Sequence, residues 1–396
     1  MTVSALNKAT PATGAATTQP IKVMIVDDAI VVRGLVGKWL DEESDIEVVV
    51  KHRNGKDAVD DVVRADPDVV LLDIEMPVMD GMTALQKMLV LKPGLCVIMA
   101  STLTQRNAEI SMKALKLGAM DYLPKPERNG AVSTSQDFKR DIINKTRALG
   151  GAARSRRARK LAQASAIAPA ARSAAATARP RLLSEINKPS GQSFSLRPYS
   201  KILPRILVIG SSTGGPQALM EVMRAIGPNI DKIPVVIAQH MPPNFTAILA
   251  KNLGKESGRP TQEATDDGTL EPGNVYVAPG GVHTVLYKEG ARIFTKLEDT
   301  PPINFCKPAV DPMFISASEI YGPAILSVIL TGMGADGAGG VKLIAEKGGS
   351  IITQDEDSCV VFGMPKAAVE TGCCSAILPL SKIGSEISRI LKGGRP

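Results

Sequence analysis

The chain has 396 residues, more than a single hydrophobic core usually supports, so two domains are expected. Its hydrophobic fraction of 44% is enough for folded cores. The odd number of cysteines, five without CxxC spacing, fits buried or free thiols better than a disulfide framework and favours a reducing compartment. No apolar run reaches the ~18 residues of a membrane span, so a cytoplasmic protein without membrane insertion is expected.

The first part of the chain is predicted to be a polar tail followed by alternating strands and helices. Residues 1–20 lack an apolar segment and are predicted to be a disordered tail. Over residues 21–150, five apolar runs alternate with helical patterns, the last helix being expected from about Gln136 to Ala148. This alternation predicts a parallel α/β sheet of the flavodoxin-like (βα)5 type.

The next segment, residues 151–203, holds most of the chain's positive charge. Between positions 151 and 200 there are ten Lys or Arg residues and one acidic residue, Glu185, so the rest of the chain is close to neutral. Its Ala, Arg, Ser and Pro content without sustained periodicity predicts a flexible basic linker. A short basic helix over Arg154–Gln163 that docks on an acidic surface is the less favoured interpretation.

A second βα series occupies residues 204–396. Apolar strands such as RILVIG, PVVIAQ, AILSVIL and SIITQ alternate with helical patterns, and a last helix is expected near 382–392. The segment HTVLYKEGARIFTK has a turn at Lys288, Glu289 and Gly290 and predicts a hairpin. The expected fold is a doubly wound, mainly parallel α/β domain whose sheet has an antiparallel edge.

In the first domain, reactive side chains stand at the ends of successive predicted strands. Asp27 and Asp28 stand at the end of the first strand, Asp73 lies near the end of the third, Ser101 follows the fourth and Lys125 ends the fifth. Because ligands of open parallel sheets bind beyond the carboxyl ends of the strands, these groups should meet at one edge. Carboxylates suit Mg²⁺, and an ammonium with a hydroxyl suits a phosphoryl group, so Asp73 can act as a nucleophile toward phosphate.

Residues 21–126, and above all the stretch LLDIEMPVMDGM, resemble the receiver domain of bacterial response regulators. The resemblance implies Mg²⁺-dependent phosphorylation by a histidine kinase. The residues to which it assigns roles are Asp73 as phosphoacceptor, Asp27 and Asp28 as the acidic pair, Glu75 as a metal ligand through its backbone carbonyl, Ser101 as the switch hydroxyl, Tyr122 as the rotating aromatic side chain and Lys125 as the family's lysine.

In the second domain, a hydroxyl, an imidazole and a carboxylate also follow strands. Ser211 and Ser212 begin the text SSTGG, His240 follows PVVIAQ, and Asp336 lies in TGMGADG after AILSVIL. Such a set can perform acyl transfer with a nucleophile, a base and an orienting acid. The SSTGG turn could instead be a helix cap or a phosphate-binding turn, and His283 could rival His240 as the base.

A dinucleotide site is a competing interpretation of the same region. Positions 332–337 fit GxGxxG after a strand, and Asp355 follows the next strand as a possible ribose ligand. Against this, Asp336 would place a carboxylate beside a pyrophosphate, and too few strands follow for a complete cofactor-binding half.

Residues 205–393 look like the catalytic domain of the CheB family of chemotaxis protein-glutamate methylesterases, and the order of receiver, linker and catalytic domain matches that family. The motifs that carry the resemblance are GSSTGG, AQHMP, VAPGGVH, KPAVDPMF, LTGMGADG and FGMPKAA. It implies that Ser212 is the nucleophile, His240 the general base, Asp336 the orienting carboxylate and Met333 an oxyanion-hole donor. Ser211 stands where the family often has Ala, so the choice between the two serines needs a test.

The resemblance further implies hydrolysis of glutamyl methyl esters, and deamidation of glutamines, on methyl-accepting chemotaxis receptors. A chemotaxis histidine kinase would supply the phosphoryl group, hydrolysis would need no cofactor, and no nucleic acid is expected as a partner. The alternative of another class is a receiver that controls a binding module through the basic linker. No helix-turn-helix text and no aromatic residues interleaved with the basic ones accompany the charges.

Overall fold

The computed structural model describes residues 19–125, 132–167 and 196–394. Most of the expected N-terminal tail (1–18) and much of the expected linker (168–195) lie outside these ranges.

The first domain is a five-stranded parallel sheet flanked by helices. Its elements, in chain order, are β1 Ile21–Val26, α1 Ile30–Asp41, β2 Ile46–His52, α2 Gly55–Ala65, β3 Val69–Asp73, α3 Gly81–Leu91, β4 Cys96–Thr102, α4 Gln105–Leu117, β5 Asp121–Lys125 and α5 Val132–Ile167. The strand order is β2-β1-β3-β4-β5 with every pair parallel, which confirms the flavodoxin-like fold. The carboxyl ends of β1, β3 and β5 therefore share one edge.

Helix α5 differs from its expected extent. It spans 36 residues, so it begins before residue 136 and continues into residues 151–167, which were predicted to be linker. Ala and Arg are strong helix formers, and the arginines find partners along the way, such as Asp68 for Arg154 at 2.6 Å. Among the described residues, no helix combines the length and the apolar character that crossing a membrane requires.

The second domain is built on a seven-stranded parallel sheet. Its elements are β6 Ile206–Ser211, α6 Gly215–Ile226, β7 Val235–Gln239, α7 Phe245–Ser257, β8 Thr261–Glu263, β9 Gly268–Thr269, β10 Val275–Val277, β11 His283–Glu289, β12 Arg292–Glu298, α8 Val310–Tyr321, β13 Ile325–Ile329, α9 Ala338–Glu346, β14 Ser350–Gln354, α10 Met364–Glu370, β15 Ala376–Leu378 and α11 Leu380–Leu391. The strand order β15-β14-β13-β6-β7-β10-β8 places β6, β7 and β13, the strands that precede the candidate site residues, side by side.

The predicted hairpin is present, but it is not an edge of this sheet. Strands β11 and β12 pair in antiparallel fashion and join β9 in a separate three-stranded sheet. The edge next to β10 is already filled by β8, in register Val275 with Thr261. The hairpin instead lies against α8, where the Leu286 N–H donates to Ser316 Oγ at 2.9 Å.

The central sheet of the second domain is buried on both faces. Along β6, Ile206 and Val208 pack into one apolar cluster, and Leu207 and Ile209 into another on the opposite face. All four side chains are fully buried, as expected for a parallel strand covered by helices on both sides. This rigid centre holds the turn after β6.

Candidate active site and receiver site

The acidic strand ends of the first domain form one cluster. Lys125 Nζ lies 2.7 Å from Asp27 Oδ2 and 2.7 Å from Asp73 Oδ1, and all three side chains are mostly buried. Burial raises the pKa of Asp73 to about 6, although Lys125 acts in the opposite direction. Ionisation of Asp73 in this cluster therefore lowers the stability of the folded state.

This cluster has the donor chemistry that a hard divalent cation prefers. Carboxylate oxygens of Asp27, Asp28 and Asp73 lie within 4.8 Å of one another, and Asp28 is exposed. Asp28 and Asp73, together with Glu75, line a pocket of about 390 Å³. Oxygen ligands around an accessible pocket fit Mg²⁺.

The two residues expected to relay the state of Asp73 lie nearby but are otherwise engaged. Ser101 Oγ is 3.1 Å from Ser111 Oγ. Tyr122 is buried, and its ring stacks on Phe245 of the second domain with a centroid distance of 4.4 Å. A receiver side chain thus contacts the helix that follows β7.

The two adjacent serines after β6 have different environments. Ser211 is fully buried and donates from Oγ to Gln239 Oε1 at 2.6 Å. Ser212 is partly exposed, and the chain then turns through Gly214 at φ 77° into α6. A left-handed residue here suits glycine, and the sharp turn presents Ser212 at the sheet edge. Ser212 is the more accessible hydroxyl.

His240 and Asp336 are paired beside this turn. His240 Nε2 lies 2.7 Å from Asp336 Oδ2, and the imidazole is only 9% exposed. Asp336 also accepts hydrogen bonds from the N–H groups of Val310 and Asp311 at the start of α8. Burial would raise the pKa of Asp336, but His240 and these two N–H groups outweigh it and lower that pKa. The carboxylate is therefore ionised and can orient the imidazole.

The glycine turn after β13 approaches Ser212 closely. A Cβ placed on Gly332 would lie 2.8 Å from Ser212 Cβ, so only glycine fits there. The Met333 N–H makes no hydrogen bond to any residue in the described part of the chain. This leaves it able to donate to a developing oxyanion near Ser212.

One residue of this site was missed in the sequence. Cys306 Sγ lies 3.2 Å from His240 Nδ1, on the side of the ring opposite Asp336. Burial would lower the pKa of His240, but hydrogen bonds with Asp336 and Cys306 outweigh it and raise that pKa to about 10. The only signal was position: Cys306 immediately precedes the KPAVDPMF motif.

The competing residues are engaged elsewhere. Both ring nitrogens of buried His283 are used, Nε2 with Pro301 O at 3.1 Å and Nδ1 with the Ala309 N–H at 3.1 Å. Asp355 accepts hydrogen bonds from the N–H and hydroxyl of Ser358. Because both of its ring nitrogens have hydrogen-bond partners, His283 has a structural role. Asp355 closes a local turn with Ser358 instead of facing a ribose.

The first domain sits over the turn that carries Ser212. Thr213 Oγ1 donates to Asp121 Oδ2 at 2.9 Å, and Gln217 Nε2 donates to Ala119 O at 2.9 Å. With the stack of Tyr122 on Phe245, these contacts join α4 and β5 to the starts of α6 and α7.

Comparison with known proteins follows the division of the chain. Residues 23–135 match the family model described as response regulator receiver domain, and residues 207–387 match the one described as CheB methylesterase. A protein-glutamate methylesterase/protein-glutamine glutaminase of Bradyrhizobium diazoefficiens is 51% identical over 95% of both chains. One from Rhodopseudomonas palustris is 50% identical over 97% of this chain and 98% of its own. The solved CheB methylesterase catalytic domain of Thermotoga maritima is 41% identical and aligns over 48% of this chain and 100% of its own, with a TM-score of 0.46.

Proposed function

Because the chain belongs to the CheB methylesterase family with an N-terminal receiver domain, we propose that it hydrolyses glutamyl methyl esters on chemotaxis receptors, and amides of receptor glutamines. The observation that carries this is the 2.7 Å pair of His240 and Asp336 beside the partly exposed Ser212. A hydroxyl, an imidazole and an ionised carboxylate in this order are the parts of an acyl-transfer triad.

In the proposed reaction, Ser212 Oγ attacks the ester carbonyl while His240 Nδ1 accepts the hydroxyl proton. Nδ1 has this role because Nε2 faces Asp336. The tetrahedral oxyanion accepts a hydrogen bond from the Met333 N–H, and His240 then gives its proton to the departing methanol. Water, deprotonated by His240, hydrolyses the acyl-enzyme and releases glutamate.

The receiver would control this reaction through its position. Asp73 would take a phosphoryl group from a chemotaxis histidine kinase, with Lys125 and Ser101 binding the phosphoryl oxygens. Asp27, Asp28, Asp73 and the Glu75 carbonyl would hold Mg²⁺, which would neutralise phosphate charge during transfer.

The contacts of Asp121 and Tyr122 with the second domain support a resting state in which the receiver covers the Ser212 turn. Phosphorylation of Asp73 would shift the equilibrium toward an open arrangement of the two domains, because the phosphoryl group would interact more favourably with its surroundings in that arrangement.

The proposed setting is the cytoplasm, where receptor helices and kinase are reachable. The different-class alternative, a receiver that controls nucleic-acid or protein binding through its basic linker, loses support from α5. There, Arg154 and Arg159 pair with carboxylates of the same chain, Asp68, Glu356 and Asp357.

The test is methanol release from a methylated receptor fragment, for wild type, Ser212→Ala and Ser211→Ala, each with and without phosphodonor and Mg²⁺. Loss of at least about 1,000-fold in Ser212→Ala, with substantial activity kept in Ser211→Ala, is expected when the nucleophile is removed. Stimulation of the wild type by phosphodonor, absent in Asp73→Ala, tests receiver control. No release from folded wild type under any condition would overturn the proposal.

A further inference from the structure

The thiol of Cys306 occupies the nitrogen of His240 that the reaction needs. Cys306 Sγ is 3.2 Å from Nδ1, whereas Nε2 is held by Asp336 at 2.7 Å. A ring nitrogen offers a single lone pair or a single proton in the ring plane. Contact with Cys306 therefore competes with contact to Ser212.

This competition holds in either protonation state of the pair. If the imidazole is neutral, the Nδ1 lone pair accepts the S–H proton. If the imidazole is charged, Nδ1 carries a proton and donates it to the sulfur. In neither case can Nδ1 accept the proton of Ser212.

The loop that carries Cys306 is a closed turn in an unusual conformation. Asn304 and Phe305 have φ values of 50° and 64°, in the left-handed region that non-glycine residues rarely adopt. Ile303 and Cys306 exchange two backbone hydrogen bonds of 2.9 and 3.1 Å across the turn. The turn thus aims the thiol at His240 and leaves Phe305 pointing away.

Phe305 connects this turn to the receiver. Its side chain is 76% exposed, and the guanidinium of Arg140, on α5, lies 4.4 Å from the ring centroid. Such a cation–π contact is favourable even at an exposed site. The loop that carries Cys306 is therefore in direct contact with α5 of the receiver.

We propose that Cys306 is a positioning residue that withholds His240 from Ser212 while the receiver is docked, and that the contact between Arg140 and Phe305 keeps its loop in place. The inference rests on the proposed esterase function and adds a second restraint to it. Covering the site limits the entry of a receptor helix, whereas the thiol limits the reactivity of Ser212 itself.

A small probe separates these two effects, because it does not need the space of a receptor helix. We suggest measuring the rate at which phenylmethylsulfonyl fluoride labels Ser212 in the full chain without phosphodonor, by intact-mass spectrometry. Cys306→Ala should raise this rate about fivefold, as expected for loss of one hydrogen bond of about 1 kcal/mol. Cys306→Ser, whose hydroxyl donates in place of the thiol, should return the rate toward wild type.

Two further variants test the loop and the specificity of the effect. Phe305→Ala keeps the thiol but removes the contact with Arg140, so it should also raise the labelling rate. Cys373→Ala removes another partly exposed thiol, which bonds to Thr371 O in its own turn, and should leave the rate unchanged. With phosphodonor and Mg²⁺, wild type should reach the rate of Cys306→Ala.

An equal or slower rate in Cys306→Ala, with an unchanged thermal melt, would overturn the inference. So would a Cys306→Ser rate as fast as that of Cys306→Ala. The proposed function fails separately, if folded wild type releases no methanol from the receptor fragment under any condition, whatever the labelling rates at Ser212.

Discussion

At the scale of single residues, Asp73 shows how function opposes stability. The folded protein buries this carboxylate next to Asp27 and offers Lys125 as a shared partner for both. Its pKa of about 6, compared with a usual value of 3.8, means that the folded state prefers the protonated acid. Ionised Asp73 therefore lowers the free energy of unfolding.

We predict that Asp73→Asn raises the free energy of unfolding at pH 8 in Mg²⁺-free buffer by about 1–3 kcal/mol. A raised folded-state pKa makes the cost of ionisation complete above pH 6 and absent below the usual value of 3.8. The advantage of Asn should therefore shrink as the pH falls from about 6 to about 4. Denaturant melts at several pH values measure it, with Asp28→Asn, an exposed member of the cluster, as control. A gain that grew toward acid pH would contradict the prediction.

A second prediction concerns Gly332. A methyl group there would meet Ser212 Cβ at 2.8 Å and Met364 Sδ at 2.4 Å, so Gly332→Ala should displace the nucleophile. Methanol release should fall at least tenfold, since small misplacements of reacting groups are costly. Gly34→Ala, a helical position with no atom within 4 Å, is the matched control. Full activity of Gly332→Ala would show that this close approach does not constrain Ser212.

Several site residues could be predicted because strand ends are readable in sequence. Ser212, His240 and Asp336 each follow an apolar run, and parallel strands bring such positions to one edge. Cys306 could not be found this way because a left-handed turn, not a strand, carries it to His240. The resemblance favours Ser212 over Ser211, and the structure adds a physical reason, since Ser211 is buried and hydrogen-bonded to Gln239.

At the scale of elements, α5 joins the two domains. Arg154 pairs with Asp68 of the receiver, while Arg156 donates to Val360 O at 3.1 Å in the second domain. Arg159 pairs with Glu356 and Asp357. One continuous helix therefore contacts both domains. Sequence periodicity could not reveal this because the partners of the arginines are distant in the chain.

We predict that Arg159→Glu raises methanol release without phosphodonor by about two- to threefold, because it replaces exposed ion pairs of modest strength with repulsion. Arg157→Glu is the matched control. Arg157 lies 3.5 Å from Asp66 of the receiver, so its ion pair does not cross the boundary between the two domains. The measurement is the initial rate on the receptor fragment. An equal increase in both variants would indicate a general charge effect instead of weakened docking.

At the scale of the whole molecule, the two sheets could each be predicted from alternating apolar runs, but their docking could not. Docking depends on a few side chains on loops and helix starts, such as Thr213 and Gln217, whose residue types carry no partner information. The hairpin of β11 and β12 could be predicted, but its pairing with β9 instead of the main sheet could not, since edge pairing is decided between distant segments.

We predict that phosphodonor with Mg²⁺ increases amide hydrogen exchange in α4 and at the start of α7, because these segments lose their mutual contacts when the receiver moves away. Mass spectrometry of peptides covering 105–117 and 243–250 measures it, and Asp73→Ala should show no change. Rising methanol release with unchanged exchange in both segments would mean that activation does not require undocking.

The stack of Tyr122 on Phe245 also bears on how strongly a signal can be amplified. An aromatic pair contributes about 0.5–1.5 kcal/mol beyond its buried area, so losing this one changes the ratio of closed to open molecules by about two- to twelvefold. Rotation of this ring away from Phe245 would thus change the ratio of closed to open molecules by roughly tenfold. The strength of this one contact would limit how far its loss can raise the rate, and any larger increase would have to come from loss of the hydrogen bonds around it.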